Sequence, residues 1–181
     1  MRIIGGDFRG RRLANVGKGD AGAHLRPTAD RVRESLFNVL AGGYGDPVTG
    51  AHVLDIFAGT GALGLEALSR GAEAVSFIES GRKALSLLRQ NIGLCRAEAA
   101  CRVFAVDARK PGVNPCAPHD LVFLDPPYDK ALGEAALTAG RACAHAALER
   151  VGPGVGTAPN PTMVTVIRVL WALELTPHPP T

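Results

Sequence analysis

The chain has 181 residues, of which 46% are hydrophobic and 20% are charged, with a formal net charge of +3. This length and balance fit one globular domain and exclude a disordered chain, a collagen-like chain and a coiled coil. No apolar run reaches the roughly 18 residues that a membrane span needs, and the polar first residues lack the apolar core of a signal peptide. We therefore expect a soluble, cytoplasmic protein with no membrane partner.

The N-terminal segment is more basic than the rest of the chain. Residues 1–40 contain eight Arg or Lys and four Asp or Glu, a balance of +4, so the remaining residues sum to −1. Such a concentration of positive charge favours a polyanionic partner such as nucleic acid. The alternative is an ordinary solvated surface.

Two elements are predicted in this segment. Residues 1–27 are expected to form an irregular basic arm, with a short strand over Phe8–Leu13. A helix is predicted over about Ala29–Leu40, where Thr28 can cap its start and the glycine pair at 42–43 can end it.

The predicted helix has one apolar face, and its members are Val32, Leu36, Val39 and Leu40. Arg31 and Arg33 lie off that face. We therefore expect both arginine side chains to point toward solvent or a ligand.

From residue 51 the pattern alternates between strands and helices. Strands are predicted over His52–Phe57, Ala74–Glu79, Arg102–Val106 and Leu121–Leu124. Helices are predicted over about Ala62–Arg70, Arg82–Ile92 and Leu132–Arg150. This alternation predicts an α/β fold, a doubly wound and mostly parallel sheet with helices on both faces.

The last segment, residues 151–181, differs in composition, with six prolines and only two charged residues. Its one candidate strand is Met163–Leu170, which is rich in β-branched residues. We expect this segment to be either an edge strand paired with Leu121–Leu124 or disordered, so the C-terminal strands are atypical or incomplete. The chain then divides into a basic arm and helix (1–45), a catalytic core (46–150) and this tail.

A glycine-rich loop follows the first predicted strand. Gly59, Gly61 and Gly64 form G-x-G-x-x-G between a strand and a helix, where a backbone can approach a ligand closely. No Gly-Lys-Ser/Thr follows, which argues against a nucleoside triphosphate. Asp55 beside the loop would repel a pyrophosphate by about 3 kcal/mol, which argues against a dinucleotide. S-adenosyl-L-methionine is cationic and has no phosphate, so Asp55 would attract it.

Two further acids follow the next two predicted strands. Glu79 comes twenty residues after Gly59, where a carboxylate can accept both ribose hydroxyls. Asp107 follows the third strand, where the adenine amino group should fall. The alternative is a tight turn with three unrelated surface acids, but acids after three successive strands form a pattern.

The segment Leu121–Tyr128 is the most specific in the chain. Its apolar strand leads into Asp125-Pro126-Pro127-Tyr128, a stiff turn because each proline restrains the backbone and lacks an N–H. Asp125 and the Pro126 carbonyl can accept hydrogen bonds from an exocyclic amine, while Tyr128 stacks on its ring. These features suit methylation of an amino group on an unstacked base. The alternative is a proline-rich loop with an ordinary tyrosine.

With both motifs present, the chain resembles the S-adenosyl-L-methionine-dependent methyltransferases that carry Asp/Asn-Pro-Pro-Tyr. It is most similar to the bacterial 16S rRNA guanine-N2 methyltransferases of the RsmD type. The resemblance covers residues 1 to about 149 and lies in MRIIGGDFRGRRL, LRPTADRVRESLFNVL, VLDIFAGTGALGLEALSRGA and LVFLDPPYD.

The resemblance implies a Rossmann-like class I methyltransferase fold with the catalytic residues Asp125, Pro126, Pro127 and Tyr128. It implies that the cofactor is held by Asp55, Phe57, Gly59, Gly61, Glu79, Asp107 and Thr28. The RNA-binding residues would be Arg9, Arg11, Arg12, Arg26, Arg31 and Arg33. The implied partner is 16S rRNA in the small ribosomal subunit or its assembly intermediate, and we expect a monomer that needs no metal.

Two other functions remain open from the sequence. One is an adenine-N6 DNA methylase, because the Asp-Pro-Pro-Tyr signature is shared with such enzymes. The chain offers no additional target-recognition domain, which a sequence-specific DNA enzyme would need. The other is a non-catalytic RNA-binding factor for ribosome assembly, against which the intact Asp125 and glycine loop count.

Overall fold

A parallel five-stranded sheet forms the centre of the fold in the computed structural model. The model describes residues 1–15, 30–110, 119–125 and, by backbone alone, 165–168. The strands are β1 His52–Ile56, β2 Ala74–Ile78, β3 Cys101–Phe104, β4 Leu121–Leu124 and β5 Thr165–Arg168. Their order in the sheet is β3-β2-β1-β4-β5, and every neighbouring pair is parallel. The predicted α/β fold with a parallel sheet is therefore confirmed, whereas helices on both of its faces stay a prediction, because the helices that the structure describes lie on one face.

The helices connect these strands as the alternating pattern predicts. They are α1 Asp30–Gly43, α2 Ala62–Ser69 and α3 Arg82–Cys95, and a short 3-10 helix, Glu98–Ala100, precedes β3. The third helix is three residues longer than predicted because Gly93 continues it instead of ending it. None of the helices in the described ranges is both long and apolar enough to span a membrane.

The first helix differs from its prediction in length and in the face that it buries. It includes the glycines at 42 and 43, which were expected to end it. Its buried residues are Arg33, Phe37 and Leu40, whereas Val39 of the predicted apolar face is 52% exposed. Phe37 is buried because its ring packs edge-on against Phe123 of β4, with centroids 5.7 Å apart.

The sheet separates two hydrophobic clusters. One lies under α1, α2 and α3 and includes Phe37, Leu65, Phe77 and Leu88. The other lies on the opposite face and includes Leu54, Ile56, Ile78, Ala108, Val122 and Leu124. The three described α-helices and residues 1–15 therefore share one face of the sheet.

Residues 1–15 form an N-terminal hairpin, which corrects the prediction of an irregular arm for these residues, while residues 16–27 of the predicted arm lie outside the described residues. Its two halves are joined by backbone hydrogen bonds from Ile3 N to Arg11 O (3.0 Å) and from Leu13 N to Met1 O (3.1 Å). The predicted strand over Phe8–Leu13 is wrong, because only an isolated bridge between Arg2 and Arg12 has strand pairing there. Ile3 and Leu13 are buried in the helical-side cluster, so the hairpin is part of the core.

The edge strand β5 confirms one of the two outcomes expected for the C-terminal segment. Thr165–Arg168 pairs with Leu121–Leu124 in parallel register, within the predicted Met163–Leu170. The predicted helix over Leu132–Arg150 lies outside the described residues, as does the helix cap Thr28.

Candidate functional site

The glycine-rich loop turns sharply at the carboxyl end of β1. Phe57 adopts a positive φ of 62°, a conformation that few non-glycine residues adopt. Such strain costs on the order of 1–3 kcal/mol and is concentrated at functional sites. The backbone then bonds to β2 from Ala58 N to Ile78 O (3.1 Å), and closes from Gly61 N to Ala58 O (2.7 Å).

Two glycines of the motif are required by packing. A Cβ on Gly61 would lie 2.4 Å from Leu88 Cδ1, and φ at Gly61 is +79°. A Cβ on Gly64 would lie 2.4 Å from the Phe77 ring. Both contacts are closer than real Cβ contacts allow, so these glycines let α2 approach β2 and α3. Gly61 and Gly64 therefore determine the position of the loop through packing alone, without contacting a ligand.

Glu79 links this loop to the start of α3. Its Oε2 accepts a hydrogen bond from Gly59 N (2.8 Å), and its Oε1 accepts from Ser80 N (2.8 Å) and Gly81 N (2.7 Å). A carboxylate offers about four acceptor positions, so these three bonds leave one on Oε2. Glu79 can therefore accept one hydroxyl of a ligand while the present bonds persist.

Asp55 lies buried beneath the loop, with 1% of its surface exposed. Its Oδ2 accepts a hydrogen bond from Gly64 N of α2 at 3.0 Å. Burial raises the pKa of Asp55 to about 7 against the lowering effect of that bond, and the charges of Asp125 and Glu79 add to the rise. Carboxylates that follow or lie in β1, β2 and β4 therefore interact at one edge of the sheet.

Asp107 is hydrogen-bonded to Arg109 in this structure. The guanidinium of Arg109 donates from Nη2 to Oδ2 of Asp107 (2.5 Å) and from Nε to both carboxylate oxygens. The backbone N–H of Arg109 donates to Oδ1 of Asp107 (2.9 Å). These hydrogen bonds lower the pKa of Asp107 to about 2. An adenine amino group would have to displace one of them.

Asp125 is the one member of the predicted catalytic turn that the structure describes. It is half-buried at the carboxyl end of β4, beside the end of β1. Pro126, Pro127 and Tyr128 lie outside the described residues.

The structure separates the predicted RNA-binding arginines into different environments. Arg9, Arg12 and Arg31 are exposed. Arg11 is half-buried, since it stacks over Phe8 and donates from Nη1 to Leu94 O (2.8 Å). Arg26 lies outside the described residues.

The expectation that Arg33 faces solvent or a ligand is wrong. Its side chain is fully buried and donates from Nη2 to Arg2 O (2.5 Å) and to Asp30 Oδ1 (2.8 Å). The guanidinium joins α1 to the hairpin, and RNA cannot reach it in this conformation.

Three buried polar residues that the sequence reasoning missed fasten the hairpin to the helices. Glu66 accepts from Ile4 N (2.8 Å) and Gly5 N (2.9 Å), and it forms a salt bridge with Arg70. Ser69 accepts from Phe8 N through Oγ at 2.9 Å. The available signal was Glu66 itself, an acid within the otherwise apolar stretch of α2.

Asn91, the third of these residues, joins the hairpin to the glycine-rich loop. Its Oδ1 accepts from Ala14 N (2.6 Å), and its Nδ2 donates to Ala14 O (3.1 Å) and Thr60 O (2.9 Å). The hairpin therefore supports the loop as well as contributing basic side chains.

The charges at this edge of the sheet fit a cationic ligand. Burial is the main cause of the raised pKa of Asp55, and the charges of Asp125 and Glu79 raise it further, so the three carboxylates repel one another. A cation would relieve that repulsion, whereas a phosphate would increase it. Among the described residues, no group of three or more His, Cys, Asp and Glu is arranged to hold a metal ion.

A model of the family described as Conserved hypothetical protein 95 matches residues 1–148. The chain belongs to this family. The matched range contains the hairpin, the glycine-rich loop and the whole Asp-Pro-Pro-Tyr sequence, and it agrees with the predicted extent of the resemblance.

Named relatives confirm the resemblance to RsmD-type proteins. The chain is 44% identical over 134 residues to Ribosomal RNA small subunit methyltransferase D of Escherichia coli K12, covering 74% of this chain and 63% of the relative. It is 40% identical over 143 residues to the protein of the same name from Haemophilus influenzae, covering 76% of this chain and 69% of the relative. The chain thus spans less than two thirds of the E. coli relative.

A solved structure supports the fold. The Escherichia coli protein yhhF, a candidate methyltransferase, is 42% identical with a TM-score of 0.63, and the match covers 77% of this chain and 72% of that one. The family therefore shares the class I methyltransferase architecture seen here.

Proposed function

We propose that this chain is an S-adenosyl-L-methionine-dependent methyltransferase that modifies the exocyclic N2 amine of a guanine in 16S rRNA. The observation that carries the proposal is the meeting of Asp55, Glu79 and Asp125 at the carboxyl edge of the sheet. Relatives named Ribosomal RNA small subunit methyltransferase D support the choice of substrate. An rRNA substrate would place the protein in the cytoplasm.

The cofactor would lie across the glycine-rich loop, where it would supply a methyl group on a sulfonium centre. Asp55 would attract its ammonium group, and Glu79 would accept a ribose hydroxyl at the open position of Oε2. Asp107 would bind the adenine amino group in exchange for one bond to Arg109. The remaining proposed contacts are Phe57, Gly59, Gly61 and Thr28.

Asp125 would act on the target amine. The nitrogen of an aromatic amine is a weak nucleophile because its lone pair is delocalised into the ring. Hydrogen bonds from the amine to Asp125 and to the Pro126 carbonyl would localise that pair and aim it at the methyl carbon. As the new C–N bond forms, the bond from the methyl carbon to the sulfonium sulfur would break and leave a neutral thioether, and the Asp125 carboxylate would accept the proton that the amine loses. Pro127 would stiffen the turn, and Tyr128 would stack on the base.

The RNA partner would be the small ribosomal subunit or an intermediate in its assembly. The exposed hairpin arginines Arg9 and Arg12, together with Arg11, Arg26 and Arg31, would contact its backbone. We propose a monomer without a metal ion, in which residues 1–45 bind RNA, residues 46–150 hold the cofactor and catalyse transfer, and residues 151–181 complete the sheet edge.

The proposal is tested by methyl transfer from labelled cofactor to small ribosomal subunits and to naked 16S rRNA, followed by nucleoside analysis. We expect labelled N2-methylguanosine with the wild-type chain. Asp125→Ala should lower the single-turnover rate by about 10²–10⁴ with little change in cofactor affinity.

Each alternative function gives a different result in this assay. N6-methyladenosine formed in duplex DNA would identify a DNA methylase. RNA binding without transfer to any substrate would identify a non-catalytic assembly factor. An unchanged single-turnover rate in Asp125→Ala would remove Asp125 from the mechanism.

A further inference from the structure

One face of α3 carries charge of a single sign. Arg82 and Arg89 are seven residues apart, which is about two helical turns, so they lie on one face of α3. Arg96 comes directly after the helix in a left-handed conformation, and the three arginines together are called the stripe. All three are exposed. The helix sequence from 82 to 95 contains no Asp or Glu.

These three arginines differ from the arginines that hold the fold together. Arg33, Arg70 and Arg109 each pair with a carboxylate at 2.8 Å or less. Within residues 1–15, 30–110 and 119–125, no carboxylate lies within salt-bridge distance of any arginine of the stripe. Their guanidinium groups are therefore available to an external anion.

The stripe approaches the N-terminal hairpin at Arg96 only. Arg11 of the hairpin donates to Leu94 O, two residues before Arg96. Asn91, which bonds to Ala14, is buried on the opposite face of α3 from Arg82 and Arg89. At its other end, α3 begins beside Glu79, whose carboxylate accepts from Gly81 N. The stripe thus leads from the candidate cofactor site along a helix about 21 Å long to the basic hairpin.

We propose that Arg82, Arg89 and Arg96 bind the phosphate backbone of the RNA substrate beside the modified nucleotide. This inference rests on the proposed function and extends it, because the RNA would cross the helical face and not only the catalytic edge. Arginine suits this task since its planar guanidinium forms paired hydrogen bonds to phosphate oxygens. Continuity with the hairpin arginines would give one basic surface on one side of the sheet.

The test compares two sets of variants in binding and transfer assays. In the first set, Arg82, Arg89 and Arg96 are replaced together by Gln. The control is Arg102→Gln, also at an exposed position. Cys101 and Val103 pack toward the helical side, so alternation along β3 places Arg102 on the opposite face. Affinity for 16S rRNA is measured by fluorescence anisotropy at several salt concentrations, alongside cofactor affinity and the kcat and KM for RNA.

The triple variant should bind RNA at least tenfold more weakly, and the slope of log affinity against log salt should become shallower by about 2, at roughly 0.7 per lost phosphate contact. We expect the KM for RNA to rise, while cofactor affinity and kcat stay unchanged. Arg102→Gln should behave as wild type. An unchanged RNA affinity and salt slope would overturn the inference, as would equal losses in the triple variant and the control. Weaker binding to vesicles containing phosphatidylserine, with RNA binding intact, would also overturn it.

Failure of the proposed function has a different signature. If the wild-type chain transfers no methyl group to any RNA, the proposed function fails. The anisotropy measurements still test whether the stripe binds RNA in that case, because they do not depend on catalysis.

Discussion

The buried position of Asp55 determines how readily its carboxyl group loses its proton. Burial of its carboxylate, together with the charges of Asp125 and Glu79, raises the pKa of Asp55 to about 7. The folded protein therefore binds this proton more tightly than the unfolded chain does. The stability that this proton contributes is fully present below about pH 4 and is lost as the pH rises toward 7.

Cofactor affinity should follow the opposite trend in pH. If the ionised form of Asp55 attracts the cofactor ammonium, affinity should rise roughly eightfold from pH 6 to pH 7.5, as the ionised fraction grows through a pKa of about 7. Calorimetry at several pH values would measure this, with Asp55→Asn as the control expected to give a flat profile. A wild-type profile that is equally flat would mean that Asp55 does not sense the ligand charge.

Glu79 supports the loop in the free protein, so its loss alone cannot identify a ligand contact. A sharper comparison uses two ligands, S-adenosylhomocysteine and its 2′-deoxy analogue. The wild-type chain should bind the deoxy analogue about 1–3 kcal/mol more weakly, because a hydroxyl bonded to a charged acceptor is removed. In Glu79→Ala, both ligands should bind with equal affinity. A persisting difference in the variant would assign the ribose contact to another group.

At the scale of the elements, the strands were the most predictable part of the fold. Leu121–Leu124 was predicted with correct bounds, and β1 and β2 were each one residue shorter than predicted. Short apolar runs between glycines and acids mark buried parallel strands, and that local signal is enough. The positions of Asp55, Glu79 and Asp125 at one edge followed from the same pattern.

The contacts of the hairpin and of α1 could not be predicted, because they depend on partners distant in the sequence. Arg33 was assigned to solvent or a ligand since it lies off the apolar face, but one of its two acceptors is a carbonyl 31 residues earlier. The hairpin is held by Glu66, 61 or 62 residues further along the chain. Periodicity reports which residues are apolar, and it does not report which buried polar groups will find each other.

Gly6 and Gly10 provide a matched test of how tightly the hairpin is held. Both have positive φ, 72° and 80°, so replacement by Ala costs each about 1 kcal/mol in backbone strain. A Cβ at Gly6 would lie 1.6 Å from Ser69 O, whereas a Cβ at Gly10 meets nothing within 4 Å. Gly6→Ala must therefore displace the hairpin and break the bonds from Asp7 N and Phe8 N to Ser69.

We expect Gly6→Ala to lower the free energy of unfolding by about 2 kcal/mol more than Gly10→Ala, at roughly 1 kcal/mol for each lost hydrogen bond. Urea unfolding would measure the difference, and hydrogen exchange at Ile4 and Gly5 would show whether the hairpin has detached. Equal midpoints for the two variants would mean that the hairpin contributes little to the stability of the domain.

At the scale of the whole molecule, the hairpin runs along the helical side of the sheet. Its start contacts the glycine-rich loop, where Met1 Sδ lies 3.9 Å from Thr60 Oγ1. Its tip contacts Ser69, at the other end of α2. Because α2 has eight residues, these two contacts are about 12 Å apart along the helix axis. RNA bound to Arg9 near the tip would therefore extend well beyond the catalytic edge.

The salt dependence of RNA binding distinguishes surface arginines from the buried one. Neutralising Arg9 and Arg12 together should flatten the slope of log affinity against log salt by about 1.4, since each phosphate contact to a single strand contributes about 0.7. Arg33→Met removes the same kind of charge from a fully buried position. It should leave the slope unchanged and lower the free energy of unfolding by about 1–3 kcal/mol, because Arg2 O and Asp30 lose their donor. Anisotropy titrations measure the salt slope, and urea unfolding measures the change in stability.

Two outcomes would contradict these predictions. A flatter slope in Arg33→Met would mean that α1 releases this arginine to the RNA. An unchanged slope in the Arg9 and Arg12 variant would exclude the hairpin as a docking surface.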